Sequence, residues 1–208
     1  MKDRKNSISK INEETLNFRA QNLFDRSFDL AGRTIYVGTQ HFSTDGGDLG
    51  VDSLMAEYLI KGLYLLNQVG SAPIRLITNN PGGSTMDGMA IYDAIRASNA
   101  PVDIEVYGQA SSMGAVILQA GRRRLLHPNT VVMIHDGYMQ DSERIPTRSS
   151  EAWAVWAKED RKRMYGIFAD RSGRPKKFWV DKCSHDTIWY AKDAVKYGLA
   201  DEVIPQKR

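Results

Sequence analysis

The chain has 208 residues, with 28 basic against 25 acidic side chains and a formal charge of +3. That length suits one sizeable core, and so slight a charge excess does not argue for a nucleic-acid partner. A single cysteine, Cys183, excludes an intramolecular disulfide framework and fits a reducing compartment, where it reads as an ordinary unpaired thiol.

The opening stretch MKDRKNSISKINEETLNF is polar and lacks the apolar segment of a signal peptide. Residues 1–22 therefore read as a charged, weakly periodic arm or removable leader. One domain is expected over 23–208. No apolar run approaches the ~18–20 residues of a membrane span, so the expected location is the cytoplasm, with no membrane partner.

RTIYVG (33–38) reads as a short strand, and HFSTDGGDLGVDS (41–53) as a loop rich in glycine and aspartate. LMAEYLIKGLYLLNQV (54–69) carries apolar residues at helical spacing, among them Leu54, Tyr58, Leu65 and Leu66. Pro73 punctuates, and IRLIT (74–78) is a buried strand. The turn cluster NNPGGS (79–84) follows. Ser84 and Asp87 then make an S-x-x-D capping signature opening a helix over 85–98. In VDIEVYG (102–108), Val102, Ile104 and Val106 share one face of a strand. GQASSMGA (108–115) leads into a helix, MGAVILQAG (113–121).

Pro128 introduces the strand NTVVMIHDG (129–137), whose last apolar residue is followed by His135. After a polar stretch, Ser150 is placed to cap a long helix over 151–172, with Gly173 and Pro175 beyond it. Trp153, Trp156, Met164, Ile167 and Phe168 lie on roughly one side of that helix and read as core or subunit contact. The basic run 161–163 reads as a solvated face, since no stacking aromatics interleave it.

Residues 74–135 thus alternate strand, helix, strand, helix, strand, which predicts a largely parallel α/β sheet. Chemistry in such a sheet collects at the carboxyl ends of its strands. Three features fall there: PGG at 81–83, SSMG at 111–114, and His135. A serine hydroxyl needs a base within reach and donors for an oxyanion. Ser112 has Ala110 two before it and Gly114 two after, the small flanks of a nucleophile turn; Ser111 has Gln109 and Met113 there and fits badly. The N–H of Met113, at the helix start, is a natural oxyanion donor, and Gly82 or Gly83 offers a second. Spacing leaves the orienting acid open among Asp136, Asp141, Asp170, Asp181, Asp186 and Asp193.

Four ordered stretches, NNPGGSTMDGMAIYDAI, GQASSMGAVILQAG, HPNTVVMIH and AKDAVKYGLADEVI, resemble ClpP, the proteolytic subunit of the ATP-dependent Clp protease. The similarity spans about residues 27–204. It implies the ClpP/crotonase α/β fold: repeated β-β-α units, a mainly parallel sheet and a protruding handle helix, with the handle region at about 136–175. It further implies Ser112 as nucleophile, His135 as base, Asp186 as third member, and the amides of Gly83 and Met113 as the oxyanion hole.

The implied activity is endopeptidase cleavage of unfolded polypeptides, without metal or cofactor, ATP being used only by a partner AAA+ unfoldase. The implied assembly is a homo-oligomeric ring, a heptamer or stacked double ring. Two departures stand out: DGYMQDSERIPTRS follows the histidine where the family has Gln-Pro and a glycine-rich strand, and His185 stands where the family has arginine. Alternatives are an unfoldase-independent protease of the phage head-maturation type, an accessory ring subunit, or a crotonase-fold CoA enzyme. Thioester enolate chemistry has no use for a Ser–His–Asp set, and inactive subunits usually lose a member of it.

Overall fold

A computed structural model describes residues 13–38, 50–137 and 147–206. At its centre two strands run side by side. β3 (Ile74–Asn80) and β4 (Val102–Ser111) pair in parallel, Ile74 opposite Val102 and Thr78 opposite Val106, with a register shift between Thr78 and Asn80. Ile74, Leu76, Val102, Ile104 and Val106 are all buried, as apolar residues must be on strands that helices cover.

The alternation read at 34–37 is β2 (Thr34–Val37), parallel to β3, and the two-residue β1 (Phe28–Asp29) edges it antiparallel. β4 is long enough to hold two different neighbours. Its first half, Asp103–Val106, pairs with β5 (Arg123–Leu126), and its last residues, Gln109–Ser111, pair with β6 (Val131–Ile134). Outside β5 lies β8 (Glu202–Val203), and β6 carries β7 (Thr187–Tyr190) antiparallel. Among the described residues the sheet has eight strands and is mainly parallel.

Three helices pack over the central strands. α2 (Ser53–Gln68) is capped by the Asp52 carboxylate on Met55 N–H and buries Met55, Leu59, Leu63 and Leu66. α3 (Thr85–Ala97) starts as its capping signature predicts, with Ser84 Oγ accepting from Asp87 N–H. α4 (Met113–Leu118) is wholly buried and shorter than expected. Beyond Leu118 the chain closes on i→i−3 bonds, Gln119 to Val116, Ala120 to Ile117 and Gly121 to Leu118.

α5 (Thr147–Ser172) spans 26 residues, about 39 Å at 1.5 Å per residue. Trp153, Val155 and Trp156 in its first half are exposed, whereas Met164, Tyr165 and Phe168 are buried in the core. The helix falls within the expected handle region, 136–175. It begins at Thr147, so Ser150 lies inside the first turn and is not the cap; Gly173, at φ 69°, ends it as expected.

Residues 13–22, read as arm, belong to α1 (Glu13–Arg26), whose Arg19 pairs with Asp29 of β1. The expected loop at 41–53 falls mostly outside the described residues. β5, α6 (Lys176–Cys183), β7, α7 (Ala191–Tyr197) and β8 were not predicted as elements. Much of that C-terminal portion hangs on a buried polar staple. Arg124 of β5 bonds the Asp201 carboxylate with Nε and Nη2 and reaches Gln119 Oε1 and Gly198 O with Nη1. Among the described residues, no helix is long and apolar enough to cross a membrane.

Candidate active site

β4 ends at Ser111 and α4 begins at Met113, so Ser112 alone makes the corner. It does so at φ 52°, ψ −121°, a conformation that a residue with a Cβ adopts only under strain. Its own N–H is anchored to Met133 O of β6 at 2.8 Å, and its carbonyl takes the first helical bonds of α4 from Ala115 and Val116. The hydroxyl makes no cap bond; it turns instead toward His135, 2.8 Å from Nε2.

The corner closes only because glycine faces it. A Cβ on Gly82, at φ 101°, would stand 2.6 Å from Ser112 Cβ and 2.8 Å from Ser111 O. At Gly83, φ 141°, the clash would be with Val51 N and O, each at 2.5 Å. Val51 N–H donates to Gly82 O, and Ser84 N–H donates to Val51 O. That bridge uses the groups on either side of Gly83, so Gly83 N–H faces away from Val51.

Strand register brings His135 and its acid together. β6 and β7 pair antiparallel with Ile134 opposite Thr187, so the next pair outward is His135 and Asp186. His135 Nδ1 lies 3.1 Å from Asp186 Oδ1. A carboxylate only accepts, so this contact holds the proton on Nδ1 and leaves Nε2 to receive the Ser112 O–H. The His135 side chain is largely buried and that of Asp186 is 53 % exposed.

Of the other candidate acids, Asp136 accepts from the Tyr165 hydroxyl. Asp170, Asp181 and Asp193 make no bond to His135, and Asp141 lies outside the described residues. Burial pushes the Cys183 thiol up to about 12, which keeps it protonated and unreactive. Among the described residues no His, Cys, Asp and Glu cluster could hold a metal ion.

Beside Ser112 lies a cavity of about 70 Å³ that the sequence reading did not anticipate. Val116, Ile134, Met164 and Phe168 wall it, together with Asp160. A signal was present in the sequence. Asp160 sits four residues from both Trp156 and Met164, so it interrupts the apolar stripe of α5 with a charge.

Residues 48–207 match the Clp protease family. The chain is also similar to the ATP-dependent Clp protease proteolytic subunit of Deinococcus radiodurans, 33% identical over 192 residues that cover 88% of each chain. The chain belongs to the Clp protease family, and it is a serine-type peptidase.

Proposed function

We propose that this Clp protease family member hydrolyses peptide bonds of unfolded polypeptides with Ser112 as nucleophile, His135 as general base and Asp186 as the carboxylate that orients it. The observation that carries the reading is one unbroken hydrogen-bond chain, Ser112 Oγ to His135 Nε2 at 2.8 Å and His135 Nδ1 to Asp186 Oδ1 at 3.1 Å. Ser112 Oγ attacks the carbonyl carbon while its proton passes to Nε2. The negative charge on the carbonyl oxygen is met by the N–H groups of Gly83 and Met113. Nε2–H then protonates the leaving amine nitrogen, the C–N bond breaks, and an ester on Ser112 remains. Water attacks that ester, giving its proton to Nε2, and the new carboxyl terminus leaves as the Ser112 hydroxyl is restored.

Each bond-making step is covered by these side chains and amides, so peptide cleavage itself calls for neither metal nor nucleotide. The matched relative's name couples its proteolysis to ATP. By that likeness the chain works in the cytoplasm as a homo-oligomeric ring, a heptamer or a stacked double ring, fed by an AAA+ unfoldase that spends the ATP. Labelling with a serine-directed fluorophosphonate tests the assignment. The wild type and Ser111→Ala should label, and Ser112→Ala should not. Labelling that survives in Ser112→Ala and vanishes in Ser111→Ala would overturn it.

A further inference from the structure

The side chain of Asp160 is 5 % exposed, and the residue lines the cavity beside Ser112 with no part in the relay described above. Burying a carboxylate is unfavourable unless charge and hydrogen bonds compensate it. Here Arg163 Nη2 donates to Oδ1 from a side chain that is 51 % exposed, while Oδ2 accepts no hydrogen bond from the described residues and is left to water.

We propose that Asp160 makes this peptidase prefer lysine or arginine as the residue on the acyl side of the scissile bond. This rests on the serine-peptidase reading above. The residue whose carbonyl Ser112 attacks has its own side chain one bond away from that carbonyl, and the cavity that Ser112, Met113 and His135 line is where it can go. A water needs about 10–15 Å³ of such space, so 70 Å³ holds roughly five waters, or about 150 Å³ of liquid. That is room for one long side chain. A lysine or arginine stem would lie along Val116, Ile134 and Met164, and its cationic head would take the open Oδ2.

Two other charges border the cavity. Asp136 adds a second carboxylate, its Oδ1 holding the Tyr165 hydroxyl. Arg161 adds a cation, but it is partly exposed and so met by solvent and salt. A buried charge acts through a lower dielectric than an exposed one and decides the sign. An acidic residue would meet Asp160 unpaired, and leucine would leave Oδ2 without the water it displaces.

The test is kcat/KM of the full-length protein on short fluorogenic peptides that differ only at the acyl-side residue: Lys, Arg, Leu, Phe or Glu. Wild type should favour Lys and Arg over Leu by about ten- to a hundredfold, the range of one charge-assisted hydrogen bond. Asp160→Asn should bring that ratio to about one, and its labelling at Ser112 by the fluorophosphonate reports a sound fold. Arg163→Gln, at an exposed position, should raise the ratio by freeing Oδ1. A wild-type preference for Leu, Phe or Glu, or a ratio unmoved by Asp160→Asn, overturns the proposal. Should Asp160→Asn not fold, an unchanged ratio in Arg163→Gln overturns it instead. Fluorophosphonate labelling separates the two levels. An apolar preference with Ser112 labelled removes only the role of Asp160, whereas no cleavage and no label removes the peptidase reading as well.

Discussion

Strain at Ser112 can be measured by comparing two inactive variants. Ser112→Ala and Ser112→Gly both delete Oγ and its 2.8 Å contact with His135 Nε2, so they differ only in the Cβ. At φ 52°, ψ −121° a Cβ costs about 1–3 kcal/mol. Glycine removes that cost but adds about 0.5–1 kcal/mol of unfolded-state entropy. The Cβ also rests against Gly82, a contact worth a few tenths of a kcal/mol. The balance makes Ser112→Gly about 1 kcal/mol more stable than Ser112→Ala, or ~2–4 °C in Tm for a chain of this length. Urea or thermal unfolding of both variants, at one protein concentration so that any assembly contributes equally, reads the difference. At an unstrained corner glycine would be the less stable of the two by ~0.5–1 kcal/mol. That order would refute the strain argument, and with it the idea that the backbone is bent to aim the hydroxyl.

Two further perturbations probe the relay and the polar staple. Asp186→Asn should lower kcat by roughly a hundredfold or more with KM little changed, because the amide favours the wrong imidazole tautomer; an effect confined to KM would count against an orienting role. Asp201→Ala strands the Arg124 guanidinium, which is 4 % exposed, and should lower unfolding stability by about 3 kcal/mol at neutral pH. Burial alone would raise the Asp201 carboxyl, but the hydrogen bonds and charge of Arg124 outweigh it and hold it below the usual carboxylate range. Its contribution is therefore complete above the unfolded value of 3.8 and fades as pH falls through the lower folded one. The gap between the urea midpoints of wild type and variant should hold from neutral pH down to about 3.8 and narrow below it; a gap that stays constant below that value would refute the linkage.

The centre of the fold was legible because its determinants are local. β3 shows period-two burial, β4 buries Val102, Ile104 and Val106, and α3 announces its start through Ser84. β5 was not legible for a physical reason. Its segment, Arg123–Leu126, opens on two arginines and looks exposed, yet Arg124 is buried by Asp201, 77 residues later, and by Gln119. A strand whose charge is neutralised that far along the chain carries no local signature. α5 begins three residues before the predicted cap because a serine inside a first turn has the same local signature as a serine that caps one.

The same division runs through the site. Ser112 and His135 could be placed from residue types at strand ends, since β4 and β6 are parallel neighbours and their carboxyl ends meet, with Ser111 opposite Met133. Choosing among six aspartates needed something spacing does not hold, the antiparallel register of β6 on β7. A slip of one residue there would turn the side chain at 186 to the other face of the sheet. The resemblance supplied Asp186 without that register, and register is what brings its Oδ1 to 3.1 Å from Nδ1. Asp160 is the converse case. Its position was plain in the α5 stripe, and a charge among apolar residues at helical spacing is a mark of either a mispaired core or a lined cavity. Only the fold, by laying α5 beside Ser112, turns that irregularity into a pocket wall whose chemistry bears on what the serine cuts.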